Sequence, residues 1–238
     1  MHPGVFILVI LATFVRPDRT ERPSDPWAFR GAWNGHERVL VARLDRSLGV
    51  VYDLEHASLV SAFAGDVLEG KRGFELGGAI HTEGPEGAVW WVEEGGNAKL
   101  AETHFKGHRF QNGQVTLRWE LVTASGARIQ IEETPEFERP EDFDADPTSV
   151  APWLVPGLVG LRRSFKASGI PAGVRLALLV RARCVGYVDY DRILPEGERE
   201  VEVDGVKLRE LYARLLIEPE NGTHEIHFFF TPPKEDAK

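Results

Sequence analysis

The chain has 238 residues, 42% of them apolar and 27% charged, which suits a folded globular protein with a sizeable core and excludes wholesale disorder. A formal net charge of −9 argues against a nucleic-acid partner, because affinity for phosphate needs clustered cations. The single cysteine, Cys184, excludes an internal disulfide, a cysteine-based zinc site and a haem-attachment motif.

In chain order, the first feature is an apolar run from Val5 to Val15. It is shorter than the roughly 20 residues that a membrane-spanning helix needs. It fits the apolar centre of an export signal, although no Lys or Arg precedes it and no clear small-residue cleavage site follows. The expectation is a secreted or periplasmic protein with a cleaved or tethering N-terminal segment. Residues 1–24 then form that segment and a Pro-rich linker, 25–233 a single domain, and 234–238 a charged tail.

Strand character dominates from there. Arg38 to Leu44 and Leu48 to Asp53 form a pair about Asp45-Arg46-Ser47, and Ser58 to Phe63 follows. Gly87 to Glu93 carries Val89, Trp90 and Trp91, bulky side chains suited to a pleated surface. Gln114 to Thr123 puts Val115, Leu117, Trp119 and Leu121 on one face. Ala127 to Glu133 returns with Ile129 and Ile131 inward, which predicts an antiparallel hairpin with one wet side. Pro135 to Pro156 reads as one long acidic loop. Leu158 to Ala167 and Gly173 to Val185 read as another pair, with Cys184 on the apolar face of the second as an inert buried thiol. Asp204-Gly205 is a hairpin turn signal. Leu211 to Glu218 and Thr223 to Thr231 close the series as strands, although Leu208, Leu211, Tyr212 and Leu215 also match helical spacing. Many short strands with Gly, Pro, Asn and Asp between them predict an all-β, antiparallel β-sandwich.

Several phrases resemble a known family when taken together. They are DPWAFRG at Asp25 to Gly31, VYDLEHASLVSAFAGDV from Val51, GGAIHTEGPEG from Gly77, KGHRFQNGQVTLRWELVTASGARIQIEETPEF from Lys106, and LRRSFKASGIPAG from Leu161. This set resembles the N-terminal β-domain of exported multidomain proteins that also carry sugar-dehydrogenase propellers and c-type cytochrome domains. Phe63 stands where that family has tryptophan, and Glu83-Gly84-Pro85 where it has His-Gly-Pro. The resemblance implies an exported accessory domain in a carbohydrate-oxidation setting, with a sugar-oxidising or cytochrome-linked partner, and it supplies no catalytic residues. The LRRSF strand also looks like part of a large mutarotase-type sandwich, a likeness of fold alone.

Four groups of residues are candidates for a site. His104, His108 and Arg109 precede the Asn112-Gly113 turn and could bind a polyhydroxyl or anionic ligand; the bland alternative is donation to loop carbonyls. His81 and Glu83 lie between glycines that would let backbone approach a ligand, or simply make a polar turn. Trp90 or Trp91, on opposite faces, could stack on a sugar if exposed. Asp142, Asp144 and Asp146 have alternate spacing, but Pro147 stands where a hand-type calcium loop needs glycine, so no metal site is assigned. His224 and His227 fall on opposite faces of one strand, one expected to face water and one to pack.

Three functions are compatible with these features. The first is a non-catalytic exported accessory domain that binds carbohydrate or docks onto a partner oxidoreductase, with no cofactor. The second is a carbohydrate-active enzyme, an epimerase, lyase or hydrolase, with His81, His108 and Glu83 converging as acid and base. The third is a structural cell-surface subunit. The sparing use of methionine, Asn and Gln beside abundant Arg, Glu and Pro is the bias of a thermophile.

Overall fold

A computed structural model describes residues 27–70, 73–77, 80–142, 156–189, 193–203, 206–217 and 223–231. The leader-like segment, most of the acidic loop and the charged tail therefore lie outside the described residues.

Four strands open the fold as an antiparallel meander: β1 (Trp27–Trp33), β2 (His36–Asp45), β3 (Leu48–Asp53) and β4 (Ser58–Phe63). Their turns follow local chemistry. Asn34 and Gly35 take positive φ between β1 and β2, and the Asp45 carboxylate accepts from the Ser47 N–H and hydroxyl between β2 and β3. A hairpin, β5 (Val67–Gly70) and β6 (Gly73–Leu76), folds back over this sheet. β7 (Ile80–Glu83) then pairs with β4, which gives the sheet order β1-β2-β3-β4-β7.

Alternate-face burial fails here, and the hairpin is the reason. β3 and β4 are buried at every position. Leu40, Ala42, Leu48, Val50 and Tyr52 join the main core, while Val39, Val41, Val51, Val60 and Phe63 meet Val67 and Phe74 of the hairpin. An antiparallel sheet covered on both sides thus has the near-continuous apolar composition usual for parallel sheets.

β8 (Trp90–Glu94) and β9 (Asn97–Leu100) begin a second sheet, and β10 (Glu102–Gln111), β11 (Gln114–Val122) and β12 (Arg128–Glu138) a third. The expected hairpin of β11 and β12 is present, with Glu120 opposite Gln130 on the outer face and Trp119 opposite Ile131 inside. β12 runs past Pro135 into what the sequence suggests is loop. Its ladder with β11 ends at Glu133, so the proline lacks an N–H only where β11 no longer needs one.

The remaining strands are β13 (Val159–Ser168), β14 (Val174–Cys184), β15 (Gly186–Asp189), β16 (Ile193–Val203), β17 (Val206–Ile217) and β18 (His224–Phe230). β13 and β14, expected to pair with each other, belong to different sheets. β13 joins β10-β11-β12-β13-β18-β15, and β14 joins β16-β17-β14-β8-β9. The short link between them crosses from one layer to the other. Leu211 and its neighbours extend as strand, not helix, because Arg209 to Ile217 pairs residue for residue with β14.

The architecture is an all-β, antiparallel sandwich. The six-stranded sheet forms one layer. The two five-stranded sheets form the other, joined where the Arg183 N–H of β14 donates to Thr82 Oγ1 of β7 at 2.7 Å. Trp90 meets Phe165 edge-on at 6.1 Å and Tyr52 meets Trp119 at 5.9 Å, so both sheets of the second layer pack on the first. Among the described residues the only helical turn is Pro140–Asp142, and no helix is long and apolar enough to span a membrane.

Candidate functional site

The structure disperses the residues that the sequence brings forward. His104 and Arg109 point to the outer face of the six-stranded sheet, paired with Glu120 and Thr116. His108 points the other way. A bulge at Lys106, where Phe105 faces Trp119 but Gly107 already faces Arg118, reverses the alternation, and Gly107 adopts a φ of 127° there. The segment is thus a continuous strand with a bulge, not a strand end and loop. His104 Nε2 lies 3.1 Å from Glu102 Oε1 at the surface. His108 Nδ1 lies 3.4 Å from Arg30 Nη2, and burial together with the Arg30 charge lowers its pKa.

His81 is a packing residue. Its ring stacks on Phe230 at 5.4 Å, and Nε2–H donates to the Ser47 carbonyl at 2.9 Å. Burial lowers its pKa against the opposing effect of the Ser47 and Thr231 backbone, so the neutral donor form is favoured. Phe230 belongs to β18, four strand positions from β10, which is on the order of 19 Å at the usual strand spacing. His81 and His108 therefore do not converge, and a shared recognition surface or acid–base pair built from both does not form. Glu83 is exposed at the end of β7 and faces Arg181. The glycine of this segment that has a close neighbour approaches the protein's own backbone: a Cβ on Gly84 would lie 1.7 Å from the Leu59 carbonyl oxygen.

Trp90, a candidate ligand platform, is fully buried and donates through Nε1 to the Ala57 carbonyl at 3.2 Å. His224 and His227 do take opposite faces, yet both are buried; His227 Nδ1 lies 2.8 Å from Glu138 Oε1.

Two arrangements escape the sequence reading. In the first, the buried Asp53 carboxylate lies 2.9 Å from His36 Nδ1 and 2.8 Å from His56 Nδ1, both at the same Oδ2 atom. Its Oδ1 accepts from the Glu55 N–H at 2.8 Å. Burial alone would raise the pKa of Asp53, but the bonds from His56, the Glu55 N–H and His36 outweigh it and hold it low. A carboxylate only accepts, so each imidazole must be protonated on Nδ1. The turn chemistry of Asp53 is legible in sequence; the two imidazoles are not, because His36 stands at the start of β2, 17 residues earlier, and only the β2–β3 pairing brings it to Asp53.

The second is the outer face of the sheet β16-β17-β14-β8-β9, laid out by register in successive rows. Leu216, Ala177, Trp91 and Leu100 lie across β17, β14, β8 and β9. Leu194, Arg214 and Leu179 form the next row, then Gly197, Tyr212 and Arg181, then Arg199, Glu210 and Arg183. Leu100 and Leu194 are 51% and 53% exposed. Alanine at 177 leaves room beside the Trp91 ring, and the Arg214 guanidinium lies 5.3 Å from that ring's centre. Arg181 lies 5.1 Å from the centre of Tyr212.

Glu210 anchors the polar end of this face. Its carboxylate is fully buried; Oε1 accepts from Arg183 Nε at 3.0 Å and Arg181 Nη2 at 3.1 Å, and Oε2 from Arg199 Nε at 2.5 Å. Burial favours its neutral form, but the hydrogen bonds from Arg199, Arg183 and Arg181 prevail and hold its pKa at about 2. The period-two pattern of Glu210, Tyr212 and Arg214 is visible in sequence, but the partner strands are not.

No family model matches this chain, and no curated protein matches it. Its functional reading therefore rests on its own residues.

Proposed function

We propose that this protein is a non-catalytic accessory β-sandwich that binds carbohydrate on the outer face of the β16-β17-β14-β8-β9 sheet. The observation that carries the proposal is the half-buried Trp91, opposite Ala177 and exposed Leu100 in the ladder, with the Arg214 guanidinium over its ring and Tyr212 and the Glu210 arginines further along the sheet. A sugar ring presents an apolar face and a rim of hydroxyls. A rigid aromatic with donors beside it serves both. The face lies on hydrogen-bonded strands of one sheet, so its donors are held in place before any ligand arrives.

The resemblance of residues 25–173 to exported β-domains of sugar-oxidising proteins supports the same reading, and it extends to a secreted or periplasmic location with a sugar-oxidising partner. Calorimetric titration of the protein with a panel of neutral and acidic oligosaccharides tests it. Binding that Trp91→Ala weakens at least tenfold, with the fold intact by circular dichroism, is the expected result. Absence of binding across the panel, or binding indifferent to Trp91→Ala, overturns it.

A further inference from the structure

The two ends of this face differ in charge, and the difference says which carbohydrates fit. Around Glu210 three guanidinium groups share one carboxylate. Glu83 contributes a second negative charge only at a distance, through its field at Arg181. The cluster keeps a positive excess in a chain whose net charge is −9. The other arginines of the face are matched one to one, Arg214 by Glu196 at 2.6 Å and Arg175 by Glu93.

We infer that the glycan bound here is acidic, and that a hexuronate carboxylate seats against Arg183 and Arg199; this rests on the carbohydrate-binding reading above. The cluster already holds one carboxylate, with Arg183 and Arg181 donating to one oxygen and Arg199 to the other, so guanidinium donors converge here on both oxygens of a carboxylate. Glu210 fixes each fork from below and uses only one or two of its five donors. The side chains of Arg183 and Arg199 remain 39% and 68% exposed, so their spare N–H groups face solvent. The low pKa of Glu210 reports the positive field that a second carboxylate would enter. Along each strand, outward residues repeat at about 7 Å, so Tyr212 stands one row from the cluster. A sugar lying over Tyr212 brings a carboxylate on its own ring or the next within reach of Arg183 and Arg199.

The test titrates the full chain with tetragalacturonate, its fully methyl-esterified form, a neutral oligosaccharide and a sulfated oligosaccharide. The acid should bind about tenfold or more tightly than its ester, an advantage that shrinks as salt rises. Arg199→Gln and Arg183→Gln should abolish that advantage by weakening acid binding about tenfold more than ester binding, whereas Trp91→Ala should weaken acid and ester alike. Equal affinity for acid and ester overturns this inference while leaving the carbohydrate reading standing. Tighter binding of the sulfated sugar than of the uronate overturns the carboxylate assignment. Failure of every sugar to bind overturns both readings. Arg199 also donates to the buried Glu210 carboxylate, so the control is a native circular dichroism spectrum and a cooperative unfolding transition above the titration temperature for each variant.

Discussion

Tyr52 Oη donates to Glu133 Oε1 at 2.5 Å across the interior, joining β3 of one layer to β12 of the other. Arg163 Nε donates to the same oxygen at 2.7 Å, and all three side chains are buried. Burial and then the adjacent Glu133 carboxylate push the Tyr52 hydroxyl well above its ordinary value, so it remains a donor throughout the accessible pH range. Removing the hydroxyl by Tyr52→Phe leaves the ion pair in place and should cost about 1–2 kcal/mol. Glu133→Ala strands the Arg163 charge in the core and should cost about 3–5 kcal/mol. Urea unfolding of the two variants checks the order, and equal losses would contradict it.

Glu210 should make stability depend on acid pH. Its folded pKa of about 2 lies below the ordinary 4.5, so the carboxylate contributes fully above 4.5 and its contribution disappears as pH falls toward 2. Glu210→Gln should lower stability at neutral pH by about 2 kcal/mol and flatten the profile across that window. Unfolding free energies measured from neutral pH down to the acid limit supply the comparison.

Asp53→Asn should break one side of this arrangement. The amide replaces one carboxylate oxygen by a donor NH2, so either the two Nδ1–H groups now on Oδ2 or the Glu55 N–H now on Oδ1 lose their acceptor, and a loss of about 2 kcal/mol follows. Nitrogen NMR of the unmodified protein should find His36 and His56 both as Nδ1–H tautomers at alkaline pH. The Nε2–H form at either would contradict the arrangement.

Cys184 should be chemically silent in the folded protein. Burial raises its thiol to about 12, so almost no thiolate exists at pH 8. A disulfide reagent should label no thiol under native conditions and one per chain in denaturant.

Gly84→Ala should be severe and Gly87→Ala mild. The new methyl at 84 would meet the Leu59 carbonyl at 1.7 Å, where the chain after β7 and the start of β4 cannot separate without losing the Gly84 N–H bond to Val60 O. The expected cost is about 3 kcal/mol or more. Gly87 has positive φ but open space around it, so only backbone strain applies, about 1 kcal/mol. Thermal unfolding should separate the two by several degrees.

Much of the fold was legible wherever one face of a strand meets water. Val115 to Leu121, Ile129 and Ile131, and Val174 to Cys184 all bury the face their alternation indicates. The Asn112-Gly113 turn also takes the positive φ values its residues invite. Legibility failed at His108, because one bulged residue reverses every later side chain of β10. It failed at Trp90 and His81 for another reason: aromatic and imidazole rings serve cores and ligands equally well, and only neighbours decide between them.

Local alternation, turn residues and charge were therefore enough to specify an all-β antiparallel chain with Cys184 inside, since those properties depend on residues a few positions apart. Which strands became neighbours depended on long-range pairing. Register alone brought Arg181 and Arg183 beside Glu210 and Arg199, carried His36 to Asp53, and sent β13 and β14 to opposite layers. Such contacts join segments by hydrogen bonds that any backbone can make, so no local pattern announces them, and the candidate binding face emerged only once the sheets had formed.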